Sequence, residues 1–70
     1  MKPQIPVVIN GDHREIPAGL GVTELLGLLG LPEDRVAIER NREILPRASW
    51  AGTVVQAGDH FEIVHLVGGG

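Results

Sequence analysis

The hydrophobic positions fall into short alternating runs broken by Gly, Pro and Asn, with one stretch of helical period between them. Ile5, Val7 and Ile9 alternate with Pro6 and Val8, which predicts a strand over residues 5–9 with those three on one face. Pro6 has no N–H to give a ladder, so pairing either begins at Val7 or leaves Pro6 facing an unpaired side. Asn10-Gly11 is a two-residue hairpin signal. Asp12-His13-Arg14-Glu15-Ile16 is the expected return strand, mostly polar and solvent-facing, and Pro17-Ala18-Gly19 ends it.

Helical period appears once. Val22, Leu25, Leu26 and Leu29 form a single apolar stripe. Gly21 suits the N-cap, and Glu24 at N3 sets a carboxylate against the positive end of the helix dipole. Gly30 fits the left-handed position just past the end, and Pro32 cannot continue the helix. Gly27 in the interior costs about 0.5–1 kcal/mol relative to Ala, unless it lets the helix approach a sheet closely.

After a connector begun by Glu33-Asp34, Val36-Ala37-Ile38 predicts a third strand, Asn41-Arg42 a turn and Glu43-Ile44-Leu45 a short fourth strand. Pro46 fits the first position of a helical turn through Arg47, Ala48, Ser49 and Trp50. Thr53-Val54-Val55 is extended, Ala57-Gly58-Asp59 turns, and residues 60–67 form the last strand. In that strand Phe61, Ile63 and Val67 can face the helix. Val64 and Leu66 then face the opposite side, together with Val8 if the first strand lies alongside. The order predicts an α+β fold: a mixed sheet, one main helix on one face, and the last strand central beside the first. That is the β-grasp (ubiquitin-like) arrangement. One domain over residues 1–67 is expected, followed by a flexible C-terminal Gly tail, residues 68–70.

Composition narrows the function. With 70 residues and no cysteine, no disulfide or Cys-based zinc site can staple the chain, so it must rest on an aliphatic core. A net charge of −3 without a basic cluster argues against nucleic acid as a partner. No apolar run approaches the ~20 residues of a membrane span. Met1-Lys2-Pro3-Gln4 lacks the apolar run of a signal peptide, so a cytoplasmic protein without a membrane partner is expected.

Candidate chemistry inside the domain is thin. His60 and His65 lie an odd number of residues apart on one strand and face opposite sides, while His13 sits on the hairpin; no metal-ligand spacing results. Gly19-Leu20-Gly21 lacks the third glycine of a dinucleotide fingerprint (Glu24 stands there) and the Gly-Lys-Ser/Thr of a P-loop. Glu39, Glu43 and Glu62 are carboxylates on short strands, but a chain this small leaves little room for a substrate cleft of ~300 Å³ or more. Ser49 has no evident base. Trp50 either caps the small core or serves as an exposed contact. The expectation is a non-enzyme that binds no cofactor or metal itself.

That leaves the tail. Gly68-Gly69-Gly70 would put an α-carboxylate on an arm without side chains, reaching roughly 10 Å at ~3.3–3.6 Å per residue. Gly68 and Gly69 give access to a narrow channel and Gly70 carries the reacting group; the plain alternative is an idle chain end. Val64, Leu66 and Val8 are the expected partner-binding patch beside it, against the plain alternative that β-branched residues simply suit strands.

Together these residues resemble the ThiS sulfur-carrier family of bacterial thiamine biosynthesis over essentially the whole chain. The most specific parts are Glu39-Arg40-Asn41-Arg42-Glu43-Ile44-Leu45-Pro46-Arg47 followed by Trp50, then Gly58-Asp59, then Ile63-Val64-His65-Leu66-Val67-Gly68-Gly69-Gly70. Asn10-Gly11 and Val22-Thr23-Glu24-Leu25-Leu26 also sit where that family has them. A terminal Gly-Gly is shared with molybdopterin-synthase small subunits and ubiquitin-like proteins; the Asn41…Pro46-Arg47…Trp50 spacing favours the thiamine branch. The resemblance implies that an E1-like adenylyltransferase uses ATP and Mg²⁺ to adenylate the Gly70 carboxylate. A cysteine-desulfurase-type persulfide donor then supplies sulfur, giving a 1-thioglycine thiocarboxylate, and thiazole synthase accepts it. The alternatives are a sulfur carrier for molybdopterin or another cofactor, and a non-catalytic β-grasp interaction module.

Overall fold

The computed structural model describes residues 3–66, so Val67 and the glycine tail lie outside the described residues. The elements in order are β1 (Gln4–Ile9), β2 (Asp12–Pro17), α1 (Val22–Leu29), a single 3-10 turn (Glu33–Arg35), β3 (Val36–Arg40), β4 (Glu43–Ile44), α2 (Arg47–Trp50) and β5 (His60–His65). They form one five-stranded sheet in the order β2-β1-β5-β3-β4. β5 runs parallel to β1, with Val8 opposite His60, and antiparallel to β3, with Val36 opposite His65. This is the expected mixed β-grasp sheet with the last strand at its centre.

Turn chemistry sets the two hairpins. Asn10 (φ 51°) and Gly11 (φ 83°) are both left-handed, the type I′ geometry whose twist matches its flanking strands, and Ile9 pairs Asp12 across it. Asn41 (φ 52°) and Arg42 (φ 70°) repeat that geometry between β3 and β4. Pairing of β1 begins at Gln4, opposite Pro17, rather than at Val7. Pro6 is tolerated because the even positions of β1 point toward β5: Val8 N–H donates to Asp59 O and Asn10 N–H to Phe61 O. Pro6 lies before β5 begins, where no N–H is required, and its carbonyl accepts Gly58 N–H at 2.7 Å.

α1 lays Val22, Leu25 and Leu26 on the sheet face carrying Val7, Ile9, Ile16, Val36, Ile38, Phe61 and Ile63; Trp50 and Val55 complete the core. Each such fully buried aliphatic side chain contributes roughly 1.5–3 kcal/mol of transfer free energy. The helix closes as its ends predict. Gly21 N–H donates to the Glu24 carboxylate at 2.9 Å, so the helix start already carries an anion from its own first turn. Gly30 adopts φ 73°, with its N–H on Gly27 O and Leu31 N–H on Leu26 O, the two bonds of a Schellman motif. Gly27 is exposed and a Cβ there would meet nothing within 4 Å, so close approach to the sheet is not its reason. Among the described residues no helix is long and apolar enough to cross a membrane.

Candidate functional site

The candidate site is the outgoing end of β5 and the sheet face beside it. β1 ends at Ile9, so β5 would lose its partner on that side within two residues. The Asn10 side chain replaces the missing strand. Its Oδ1 accepts Ile63 N–H at 2.7 Å and its Nδ2 donates to Ile63 O at 3.0 Å, as a paired residue would. On the other side Leu66 N–H donates to Arg35 O at 2.8 Å, extending the β3–β5 ladder one step past His65. The last described residues before the tail are therefore gripped from both flanks.

The start of β5 is fixed by a polar cluster around Asp59, which is only 5% exposed. Its Oδ2 accepts Gln56 N–H at 2.8 Å and the Arg40 guanidinium at 2.9 and 3.0 Å; its Oδ1 accepts Asn41 Nδ2 at 3.2 Å. Asn41 in turn takes His60 N–H on Oδ1 and gives its own N–H to His60 O. Burial raises the Asp59 pKa, but the Gln56 N–H, the Asn41 amide and Arg40 outweigh it and hold the carboxyl below its ordinary value. The cluster thus ties the β3–β4 turn to the loop that enters β5.

Opposite the helix, the sheet face is open. Phe61 and Ile63 point into the core, whereas Val64 is 54% and Leu66 56% exposed. The register puts Val64 opposite Ala37, and Ile44, 73% exposed, opposite Glu39. Val64, Ala37 and Ile44 line one shallow hollow with Glu39 and Glu62. Val8 shares this open face, as expected, but lies outside the hollow. It sits opposite His60, half-buried, against His13 and Gly58, four residues and ~13 Å along β5 from Val64. The apolar patch is completed on the β3–β4 side, and Ile44 was not among the sequence-derived candidates. With a two-residue β4, alternation alone does not tell which way Ile44 points.

Glu39 and Glu62 lie directly opposite each other on this open face, while Glu43, opposite Arg40, belongs to the other face. A depression of about 460 Å³ lined by Glu39, Asn41, Arg42, His60 and Glu62 exceeds the expected room. It lies open on the surface among exposed side chains and encloses nothing. Among the described residues no three His, Asp or Glu side chains converge as metal ligands. Trp50 is buried and its Nε1–H donates to Leu45 O at 2.9 Å, the core-cap reading.

The chain that carries this rooted central strand matches a known family over most of its length. The model of the ThiS family aligns with residues 7–70. The chain belongs to the ThiS family. The sulfur carrier protein ThiS of Escherichia coli is 33% identical over 64 residues, covering 91% of this chain and 97% of that one. The crystal structure of the thiamine biosynthesis protein ThiS of Geobacter metallireducens superimposes with a TM-score of 0.81 at 33% identity, covering 94% of this chain and all of that one. A thiazole synthase of Paramagnetospirillum magneticum is 48% identical over 64 residues, 91% of this chain. The chain spans about a fifth of that relative's length (20%).

Proposed function

We propose that this chain is a cytoplasmic sulfur carrier of thiamine biosynthesis whose Gly70 carboxylate is the group that reacts. The observation that carries the proposal is the Gly68-Gly69-Gly70 sequence, downstream in the chain of a central strand held by Asn10 and Arg35, in a chain matched by the ThiS family over residues 7–70. A terminal carboxyl, with a pKa of about 3.3–3.7, is ionised at neutral pH and is a poor acylating agent. An E1-like adenylyltransferase with ATP and Mg²⁺ therefore activates it: a carboxylate oxygen attacks the α-phosphorus, pyrophosphate leaves, and an acyl-adenylate forms. A persulfide from a cysteine-desulfurase-type donor attacks the acyl carbon and expels AMP. A second thiol then breaks the S–S bond and leaves the thiocarboxylate. The sulfur goes to thiazole synthase, a recipient favoured over molybdopterin synthesis by the shared segment in the Paramagnetospirillum magneticum protein.

The carrier supplies the carboxyl, its reach and a docking face; the catalytic groups belong to the enzymes. The Ala37, Ile44, Val64 and Leu66 face, rimmed by Glu39 and Glu62, suits an apolar partner surface with basic flanks. Intact-mass measurement tests the reading. Incubated with its adenylyltransferase, ATP and a sulfur source, the chain should exchange one oxygen for one sulfur. The chain lacking Gly69-Gly70 should not. A mass unchanged in the first case, or equal in both, refutes it.

A further inference from the structure

The Pro46-Arg47…Trp50 segment is not used by the chemistry above, yet its side chains reach the backbone that roots the tail. β4 is two residues long, so the far edge of β3 runs out of partners after Ile38 O, which takes Leu45 N–H at 2.8 Å. Arg47 continues that edge. Its Nη1 donates to Glu33 O and its Nη2 lies 3.4 Å from Val36 O. Those carbonyls bracket Arg35, whose own carbonyl points the other way and accepts Leu66 N–H. The guanidinium lies 4.6 Å from the centre of the Trp50 ring, and Trp50 is itself fixed through Leu45 O. A planar fork stacked on an indole can span two carbonyls; an ammonium cannot do both.

We propose that Arg47 is a positioning residue for the tail: by clamping the Glu33–Arg35 turn against β3, it sets where Arg35 O meets Leu66 N–H. It thereby fixes the backbone at Leu66, the last described residue ahead of the terminal glycines in the chain. The reaction affected is the one under Proposed function, and the inference rests on that reading for its kinetic part alone.

Two measurements on Arg47→Lys and Arg47→Ala decide it, with Ile16→Val as a variant that weakens the core without touching the clamp. Amide exchange in the free chain is the first. Both Arg47 variants should speed exchange at Leu66 about tenfold, the loss of about one charge-assisted hydrogen bond, with the Val7 amide in the β1–β2 ladder little changed. Ile16→Val should instead raise Val7 along with Leu66. An unchanged Leu66, or full restoration by Lys, overturns the clamp. The second measurement is sulfur loading by the adenylyltransferase and donor. kcat should fall several-fold with KM for the carrier held, since the docking face is intact. Faster Leu66 exchange with unchanged kcat overturns the positioning role. Failure of the unsubstituted chain to gain sulfur strikes the sulfur-carrier reading, and Leu66 exchange still judges the clamp.

Discussion

Asp59 shows at the residue scale how one side chain can organise a loop. Its carboxylate has four donors and almost no water, so removing its charge strands Arg40 and frees Gln56 N–H together. Asp59→Asn is expected to cost about 2–3 kcal/mol in urea denaturation, a large share of the roughly 4–10 kcal/mol a chain this size commands. Because its folded pKa lies below the ordinary value, its contribution is complete above the unfolded pKa of ~3.9 and is lost as pH falls through the folded value. The stability difference between the unsubstituted chain and the Asp59→Asn variant should therefore be constant near neutrality and close in acid. A difference that widens below pH ~4 would contradict the assignment. Neither this cluster nor the Asn10 grip on Ile63 was legible in the sequence. Their partners lie 18, 19 and 53 residues apart, and no periodicity relates them.

α1 separates two glycines that look alike in sequence. Gly27 is helical and open, so Gly27→Ala should stabilise by about 0.5–1 kcal/mol. Gly30 is left-handed at φ 73°, so Gly30→Ala should destabilise by about 1 kcal/mol; thermal melts of the two variants should move in opposite directions. β5 and β4 invite a different test. Val64→Asp and Ile44→Asp alter exposed positions on the open face and should cost about 1 kcal/mol or less in folding. Affinity for the proposed adenylyltransferase partner should drop at least about tenfold. Val8→Asp, set apart from the patch, should affect binding less; an equal loss would enlarge the docking face to β1. The faces of β5 were legible because residues 60–63 alternate polar and apolar, and burial follows that pattern; the caps of α1 were legible because Gly21, Glu24 and Gly30 each have one suitable role. The separation of Val8 from Val64 was not, since alternation fixes which face a residue takes and leaves open how far two strands are shifted.

On the scale of the molecule, the order of elements predicted a mixed sheet with the last strand central beside the first, since a first strand and its hairpin partner leave the centre free; it did not place β3 and β4. The domain then presents one charged-rimmed apolar face and, from the same strand, the chain that follows Leu66. The central place of β5 also bears on synthesis. Neither β1 nor β2 pairs with β3 or β4, and the Val8–His60 pairing joins residues 52 apart in a chain of 70. Residues emerge from the ribosome N-terminus first, so the two halves of the sheet stay unpaired with each other until β5 emerges. Nascent chains stalled before His60 should remain open to protease, and those released through Leu66 should resist it. On the proposed function, the strand that leads to the carboxyl to be activated is also the one that completes the sheet, so an enzyme reading the open face would meet only finished molecules.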